Sequence, residues 1–368
     1  MTSKKKVPQK QQYYRASPAN MDFPLMLLPS IVQERVVRKM KFQDLIEWSF
    51  QYTAFQRMMK SMKVRCHSFE WFFDISKCGI KITFNTPDGE VIHYMYLEKG
   101  KKDVIVGGLG EKTLLPEDCE FIRHNSPVGP MCFRYSLFLK DAKQVHPIDV
   151  LETYTSVLLD IVRPTFFNLR FARYDVEKLF NLFVWKYTRQ FSNVEFLSPN
   201  ADDKEDIPQA IAFLQNEFLI DNMFIRISDH ENTPTYQGPL KIEKMTIDTS
   251  SCIPFETIFQ MECRNFKLRR GIELKNLIEL IQVWMNGGLS KLESFVADGF
   301  RFNEADFVLE VETTKSEGKP DPEIFKHSNW EEKAVDIHRD MDGRKASVFF
   351  NGNTFAFIVW PAVENKLM

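Results

Sequence analysis

Residues 147–311 alternate between helical and extended patterns, and this alternation constrains the fold more than any other feature of the sequence. Helical runs such as VLETYTSVLLDIV and LKNLIELIQVWM are separated by short apolar strand patterns. The strand patterns begin near Val194, Met223, Lys241, Asn265 and Leu292. Such alternation is typical of a largely parallel sheet lined by helices. The strand spacing of about 18 to 30 residues overlaps the period of leucine-rich repeats, although the LxxLxLxxN consensus is absent. We therefore predict an irregular, leucine-rich-repeat-like βα core.

Antiparallel strands are predicted on both sides of this core. Between Ser68 and Leu139, four extended runs surround a TPDG turn and predict a mostly antiparallel sheet. Near the end of the chain, KASVFFN and TFAFIVW are joined by Gly352 and Asn353, which predicts a closing hairpin. Within the core, VEKLFNLFVWKYTRQF predicts a long helix. The predicted fold class is mixed α/β.

The amino-terminal part has a different pattern. The first twenty residues carry five basic side chains and no acidic one, and we predict that this tail is disordered. Residues 23–62 then show apolar side chains at helical spacing in three short pieces. Pro29 suits a helix start, and Asp44 precedes LIEW where a carboxylate can accept from free backbone donors. Three short helices are predicted here.

Charge and hydropathy exclude several classes of protein. With 48 basic and 50 acidic side chains the formal net charge is −2, which argues against nucleic-acid binding by the chain as a whole. No run reaches the roughly 18 apolar residues of a membrane-spanning helix, so no membrane partner is expected. A secretory signal pattern is also missing, which predicts a cytoplasmic or nuclear protein that is not secreted.

Motifs for catalysis or for metal and cofactor binding are missing from the sequence. Neither GxSxG nor HExxH occurs, and VIVGGLGEKT departs from the GxGxxG spacing of dinucleotide loops. The six cysteines form no CxxC pair, and the seven histidines are scattered singly. We expect no metal site, no cofactor and no catalytic residues, and a protein that is not an enzyme.

Two segments resemble a known family. FPLMLLPSIVQERVVRKMKFQDLIEWSFQYTAFQRMM resembles an F-box, with Leu28-Pro29 before the first helix and Asp44-Leu45 opening the second. LKNLIELIQVWMNGGLSKLESF and the closing FAFIVWP are similar to the type-2 F-box-associated domain of nematode F-box proteins. The matching residues are Trp284, Gly287, Gly288 and Leu292 in the first of these two stretches and Trp360 in FAFIVWP. The resemblance implies an F-box at residues 21–65 and an F-box-associated domain at 66–368.

By this resemblance, the F-box binds the Skp-type linker of a cullin-based ubiquitin ligase, and the associated domain recruits a target protein for ubiquitination. The chain would then be a non-catalytic adaptor. An apolar surface suited to burial against the linker is expected from the first two helices. Its predicted residues are Leu27, Leu28, Pro29, Val32, Val36, Val37, Leu45 and Trp48. For Val36 and Leu45, a place in the core and a place in the interface are equally expected.

Two alternatives stay open. The segment WSFQYT at residues 48–53 replaces the basic cluster that many F-boxes carry after the second helix. This departure motivates an interaction scaffold that keeps the F-box shape without assembling a ligase. The other alternative is an enzyme whose site is built from distant residues, which a deep pocket with histidines and carboxylates would support.

Overall fold

In the computed structural model, the described residues are 24–74, 77–87, 89–99, 119–125, 132–139, 147–172, 176–197, 207–226, 235–248, 253–269, 272–299, 302, 312–316, 334–350 and 352–361. The predicted basic tail, the glycine loop VIVGGLGEKT and most of the charged loop near residue 320 lie outside them. The chain divides into two units between Phe166 and Phe167. Our domain limits at residues 20, 65 and 147 were drawn from the sequence and stay predictions.

The first unit combines helices with a mostly antiparallel set of strands, as predicted. A 3₁₀ turn at Pro24–Leu27 precedes the helices α1 Ser30–Val37, α2 Phe42–Gln51, α3 Thr53–Met62 and α4 Pro147–Ile161. The strands are β1 Val64–Asp74, β2 Lys77–Thr86, β3 Gly89–Lys99, β4 Cys119–Asn125 and β5 Cys132–Leu139. Their order is β1-β2-β3-β5-β4, with only β3 and β5 parallel among these neighbours.

The core of the first unit lies between β1 and its neighbouring helices. Phe69, Trp71 and Phe73 alternate along β1 and are fully buried, because side chains two residues apart share one face of a strand. The indole Nε1 of Trp71 donates to Thr155 Oγ1 of α4 at 3.0 Å, and both side chains are buried. Burial of this donor is therefore compensated by a partner in the same core.

The second unit contains the predicted parallel strands and the closing hairpin. Its strands are β6 Val162–Ala172, which begins before the division, β7 Gln190–Leu197, β8 Leu219–Arg226, β9 Lys244–Ile247, β10 Asn265–Leu268, β11 Ser294–Asp298, β12 Thr314–Lys315, β13 Val335–His338, β14 Lys345–Phe350 and β15 Thr354–Val359. Its helices are α5 Val176–Leu179, α6 Ile207–Glu217, α7 Phe255–Ile258 and α8 Leu274–Met285. Strands β6 to β11 pair in parallel, in sequence order. Strands β11, β15, β14, β13 and β12 follow as antiparallel neighbours.

Register explains why the parallel strands form one side of a core. A row of paired residues crosses five strands, and every member is at most 2% exposed. This row is Val194, Met223, Met245, Phe266 and Phe295. The rings of its last two members stack with centroids 5.5 Å apart. The mixed α/β class predicted from the sequence is thus confirmed.

The long helix predicted from VEKLFNLFVWKYTRQF is wrong beyond Leu179. Helix α5 ends there, a 3₁₀ turn occupies Phe183–Lys186, and strand β7 begins at Gln190. Leu182, Phe183 and Val184 are consecutive and all buried. Three adjacent buried side chains do not fit the single apolar stripe of a surface helix, because neighbours on a helix point in different directions.

Among the described residues no helix has the length and hydropathy to cross a membrane.

Candidate partner-docking surface

Exposed apolar side chains concentrate on helix α1 and the turn before it. Among the described residues, eight large hydrophobic side chains are exposed, and five of them lie in this one segment. They are Leu27 at 79%, Leu28 at 40%, Ile31 at 62%, Val32 at 37% and Val36 at 38% exposure, and we call them the α1 patch. Single exposed hydrophobic residues are ordinary, whereas a contiguous group of them marks a surface that another molecule covers.

The local backbone presents this patch outwards. Leu28 N donates to Leu25 O at 3.1 Å, which closes the 3₁₀ turn, and Gln33 Nε2 donates to Leu28 O at 2.8 Å. Helix α1 starts directly after Pro29, whose fixed φ suits a helix start. Leu25 and Val37 are buried at the two ends of the segment. The segment is therefore held by its ends while its middle faces solvent.

Charged side chains border the α1 patch. Arg38 Nε donates to Glu34 Oε1 at 2.9 Å, an ion pair one turn apart along α1. Arg35 and Lys39 are exposed beside this pair. An apolar centre with a charged rim is the usual composition of a protein–protein interface.

Five of the eight residues predicted for linker contact are exposed. These are Leu27, Leu28, Pro29, Val32 and Val36, which lie together at the start and along one side of α1. Val36, for which core and interface are equally expected from the sequence, is 38% exposed. Whether a linker covers these side chains stays a prediction.

Sequence reasoning missed Ile31, although it is the second most exposed large hydrophobic in the segment. Its position four residues after Leu27 was the available signal, because residues at this spacing are neighbours on a helical surface. With Ile31 included, the α1 patch has five members: Leu27, Leu28, Ile31, Val32 and Val36.

The other three predicted contact residues lie differently. Val37 and Leu45 are each 2% exposed and belong to the core of the first unit, so they are not accessible to a partner in this conformation. Their apolar character is explained by packing within the chain. Trp48 is half-buried, and its ring lies edge-on to Phe55 with centroids 5.6 Å apart. Among the eight predicted contact residues, the exposed ones therefore lie in α1 and the preceding turn.

The segment WSFQYT forms the junction between α2 and α3. Tyr52 has φ −125° and ψ 107°, an extended conformation that separates the two helices. Ser49 is 1% exposed, which leaves no room for a long basic side chain at that position. Ser49 thus packs inside the first unit, between neighbouring elements.

Helices α2 and α3 contact the rest of their own unit. The Phe42 ring lies 4.4 Å from that of Phe84 on β2, measured between centroids. On α3, Lys60 Nζ lies 3.2 Å from Asp160 Oδ1 and Gln56 Nε2 donates to Asp160 Oδ2 at 3.4 Å. The inward faces of α2 and α3 are therefore covered by β2 and α4, unlike the outward face of α1.

The residues that carry the resemblance in the second unit have structural roles. Trp284 and Leu292 are buried at 0% and 1% exposure, and Trp360 Nε1 donates to Ser347 Oγ at 2.8 Å. Gly287 has φ +88°, which favours glycine. A Cβ on Gly288 would lie 2.9 Å from the carbonyl oxygen of Val283, too close for a real contact. Trp284, Gly287, Gly288 and Leu292 therefore have packing roles at and after the end of α8, and Trp360 packs beside the closing hairpin.

The described thiols are not activated as nucleophiles. Cys66, Cys78 and Cys263 are free and buried, and burial raises the pKa of each thiol to about 12. Each of them is therefore protonated at neutral pH. Within the described ranges, no three His, Cys, Asp or Glu side chains are grouped to hold a metal ion.

No family model, no curated protein and no solved structure matches the chain.

Proposed function

We propose that the chain is the substrate-recognition adaptor of a Skp–cullin–F-box ubiquitin ligase. Residues 21–65 would act as the F-box, and the α1 patch would be the contact for the Skp-type linker. The observation that carries the proposal is the α1 patch, because five exposed apolar side chains gain free energy when a partner removes them from water. The F-box resemblance of the same segment supports this choice of partner.

The second half of the proposal concerns residues 66–368, which would recruit the target protein. A polar row crosses the parallel strands, in register, on the face opposite the buried row. Its members are Asn193, Asn222, Lys244, Asn265 and Ser294. Asn193 and Lys244 are exposed and Asn222 and Asn265 are half-buried, whereas Ser294 is buried and donates to Asn265 Oδ1 at 2.6 Å, so the first four members form the accessible part of the row. An irregular leucine-rich-repeat-like sheet would present such a face for recognition, since repeat folds bind partners through side chains spread over several strands.

Co-purification with a Skp-type linker and cullin tests the linker half. Wild-type chain should retain both proteins. Replacing Leu28 and Val32 together with glutamate should lower linker affinity by about a hundredfold or more, because two charges would be buried in an apolar contact. Both side chains are exposed in the free chain, so the substitution should leave its thermal unfolding unchanged.

Leu219→Glu is the matched control. Leu219 is 70% exposed but lies on β8 in the second unit, and its replacement should leave linker binding unchanged. If wild-type chain retains neither linker nor cullin, the ligase proposal is wrong, and the scaffold without ligase assembly takes its place. Equal binding by wild-type chain and the Leu28→Glu/Val32→Glu variant would instead remove the α1 patch from the proposal.

A further inference from the structure

The first unit contains a groove that the proposed function does not use. It encloses about 1100 Å³ and lies between the far end of α1, the start of α2, the end of α3 and the strands β1 to β3. None of the α1 patch residues lines it. Pockets for small molecules usually span about 300–1000 Å³, so this groove is large enough for part of a polymer chain.

The floor of the groove is apolar. Its lining includes Met40, Phe42, Met62, Val64, Phe84 and Val91. All six side chains are half-buried, so each still presents apolar surface to a ligand. A ligand that places hydrophobic side chains on this floor would be stabilised, because apolar surface of both partners is removed from water.

The rim of the groove is strongly cationic. Among its described lining residues there are six basic side chains and one acidic one, Glu34. The six are Arg38, Lys41, Lys60, Lys63, Arg65 and Arg163. Arg38 pairs with Glu34, and Lys60 pairs with Asp160.

Among the described residues, four cations of the rim have no oppositely charged partner within ion-pair distance. Within the described part of the chain, Lys41, Lys63, Arg65 and Arg163 make no ion pair, and all four are exposed. Like charges gathered around one concavity repel each other and create a positive potential inside it. An anionic ligand bound in the groove would neutralise these cations and remove their mutual repulsion. The cluster is local, because the chain as a whole has a net charge of −2.

We propose that this groove binds an acidic peptide segment of a partner protein that also carries apolar side chains. Its carboxylates would face Lys41, Lys63, Arg65 and Arg163, and its apolar side chains would lie on the floor. The proposal goes beyond linker docking, because none of the five α1 patch residues lines the groove.

A peptide fits these observations better than an anionic bilayer. The apolar residues of the floor are half-buried in a concavity and do not project from the surface. A peripheral membrane site instead places protruding apolar side chains among its cations, so that they reach the acyl region. A peptide chain can enter the concavity, where its apolar side chains contact the floor while its carboxylates pair with the cations of the rim.

Fluorescence anisotropy with a dye-labelled peptide EDEFLEDE tests the proposal on the full chain, with no linker present. The peptide should bind, and more weakly as salt is raised, because exposed charges are screened. The peptide EDESGEDE, which keeps the charges but lacks the apolar pair, should bind at least about tenfold more weakly. Vesicles of phosphatidylserine should not sediment the chain.

Charge-reversal variants assign the binding to the groove. Lys41→Glu with Arg65→Glu should lower the affinity for EDEFLEDE at least about tenfold, because rim charges act on the ligand directly. Arg35→Glu with Arg57→Glu makes the same change in net charge at exposed positions of α1 and α3 that do not line the groove. This control should bind within about twofold of wild type. Matching thermal unfolding of both variants confirms that each is folded.

Three outcomes would overturn the proposal. The first is no binding of EDEFLEDE by the wild-type chain. The second is an equal loss of affinity in the groove variant and in the control, which would indicate a response to net charge alone. The third is sedimentation with phosphatidylserine vesicles without peptide binding, which would make the groove a lipid site.

Discussion

The guanidinium of Arg339 lies over the indole ring of Trp284, with its Cζ 4.9 Å from the ring centroid. Its Nη1 also donates to the carbonyl oxygen of Trp284 at 3.2 Å, and its Nε donates to Asp342 Oδ1 at 2.8 Å. Arg339 is 3% exposed. The Trp284 ring in turn meets Phe357 edge-on, with centroids 5.3 Å apart. One buried cation therefore joins α8 to the turn between β13 and β14.

Replacing this cation tests how much the junction contributes to stability. Arg339→Met should lower the free energy of unfolding by about 2–3 kcal/mol, because it removes a desolvated cation–π contact and the charged hydrogen bonds to the Trp284 carbonyl and to Asp342. Urea unfolding followed by tryptophan fluorescence measures the change. Arg264→Met is the control, since Arg264 is 56% exposed and its pairing with Glu293 should contribute less than about 1 kcal/mol. Equal effects of the two substitutions would contradict this assignment.

Asp342 makes the stability of the second unit dependent on acid pH. Hydrogen bonds from Arg339 lower the pKa of Asp342 from 3.8 to about 2 in the folded chain. The folded state therefore binds fewer protons at this carboxyl than the unfolded state does. The stabilisation is complete above pH about 4 and is lost as the pH falls towards about 2.

Urea unfolding of wild type and Asp342→Asn between pH 5 and pH 2 measures this linkage. The wild-type chain should be the more stable at pH 5, and the difference should vanish near pH 2. In an Arg339→Met background, Asp342→Asn should have no comparable pH dependence, because the donor that lowers the pKa is gone. A difference that stays constant over this range would contradict the predicted linkage.

Lys63 is a strained position at the junction of α3 and β1. Its φ is +32°, a region that side chains with a Cβ rarely adopt. Lys63→Gly should therefore raise the free energy of unfolding, by up to about 1 kcal/mol after the greater flexibility of glycine in the unfolded chain is deducted. Lys63→Ala removes the same charge without relieving the strain and should give no gain. If both variants have the same stability, the strain is absent.

Phe55 tests whether α3 belongs to the core of the first unit. Its side chain is fully buried and its ring contacts Trp48. Phe55→Ala should lower the free energy of unfolding by about 3–5 kcal/mol, because it removes a buried ring and leaves a cavity. Phe166→Ala is the control, since Phe166 is 40% exposed, and it should cost less than about 1.5 kcal/mol. Similar small losses would show that α3 is loosely attached, as expected of a separable domain.

Local patterns predicted many elements of the fold correctly. The apolar spacing of LKNLIELIQVWM corresponds to α8 Leu274–Met285, and the alternation in KASVFFN and TFAFIVW corresponds to β14 and β15. The spacing of apolar residues predicts these elements correctly because each element buries one side, and its apolar residues recur at the period of that side. VEKLFNLFVWKYTRQF was misread because apolar residues there are buried on several sides, so spacing no longer distinguishes a helix from a turn.

At the candidate site, too, the local pattern predicts the element, whereas the tertiary structure decides which of its side chains are exposed. The sequence predicts a helix in the apolar segment around Leu28 and Val32, and the described chain has α1 at Ser30–Val37. Val36 faces solvent, whereas its neighbour Val37 and Leu45 are buried. This difference follows from where α2 and the strands pack, because burial depends on contacts with residues far away in the chain. The cationic groove has the same origin: Lys41, Arg65 and Arg163 are distant in sequence, and only folding brings their charges around one concavity.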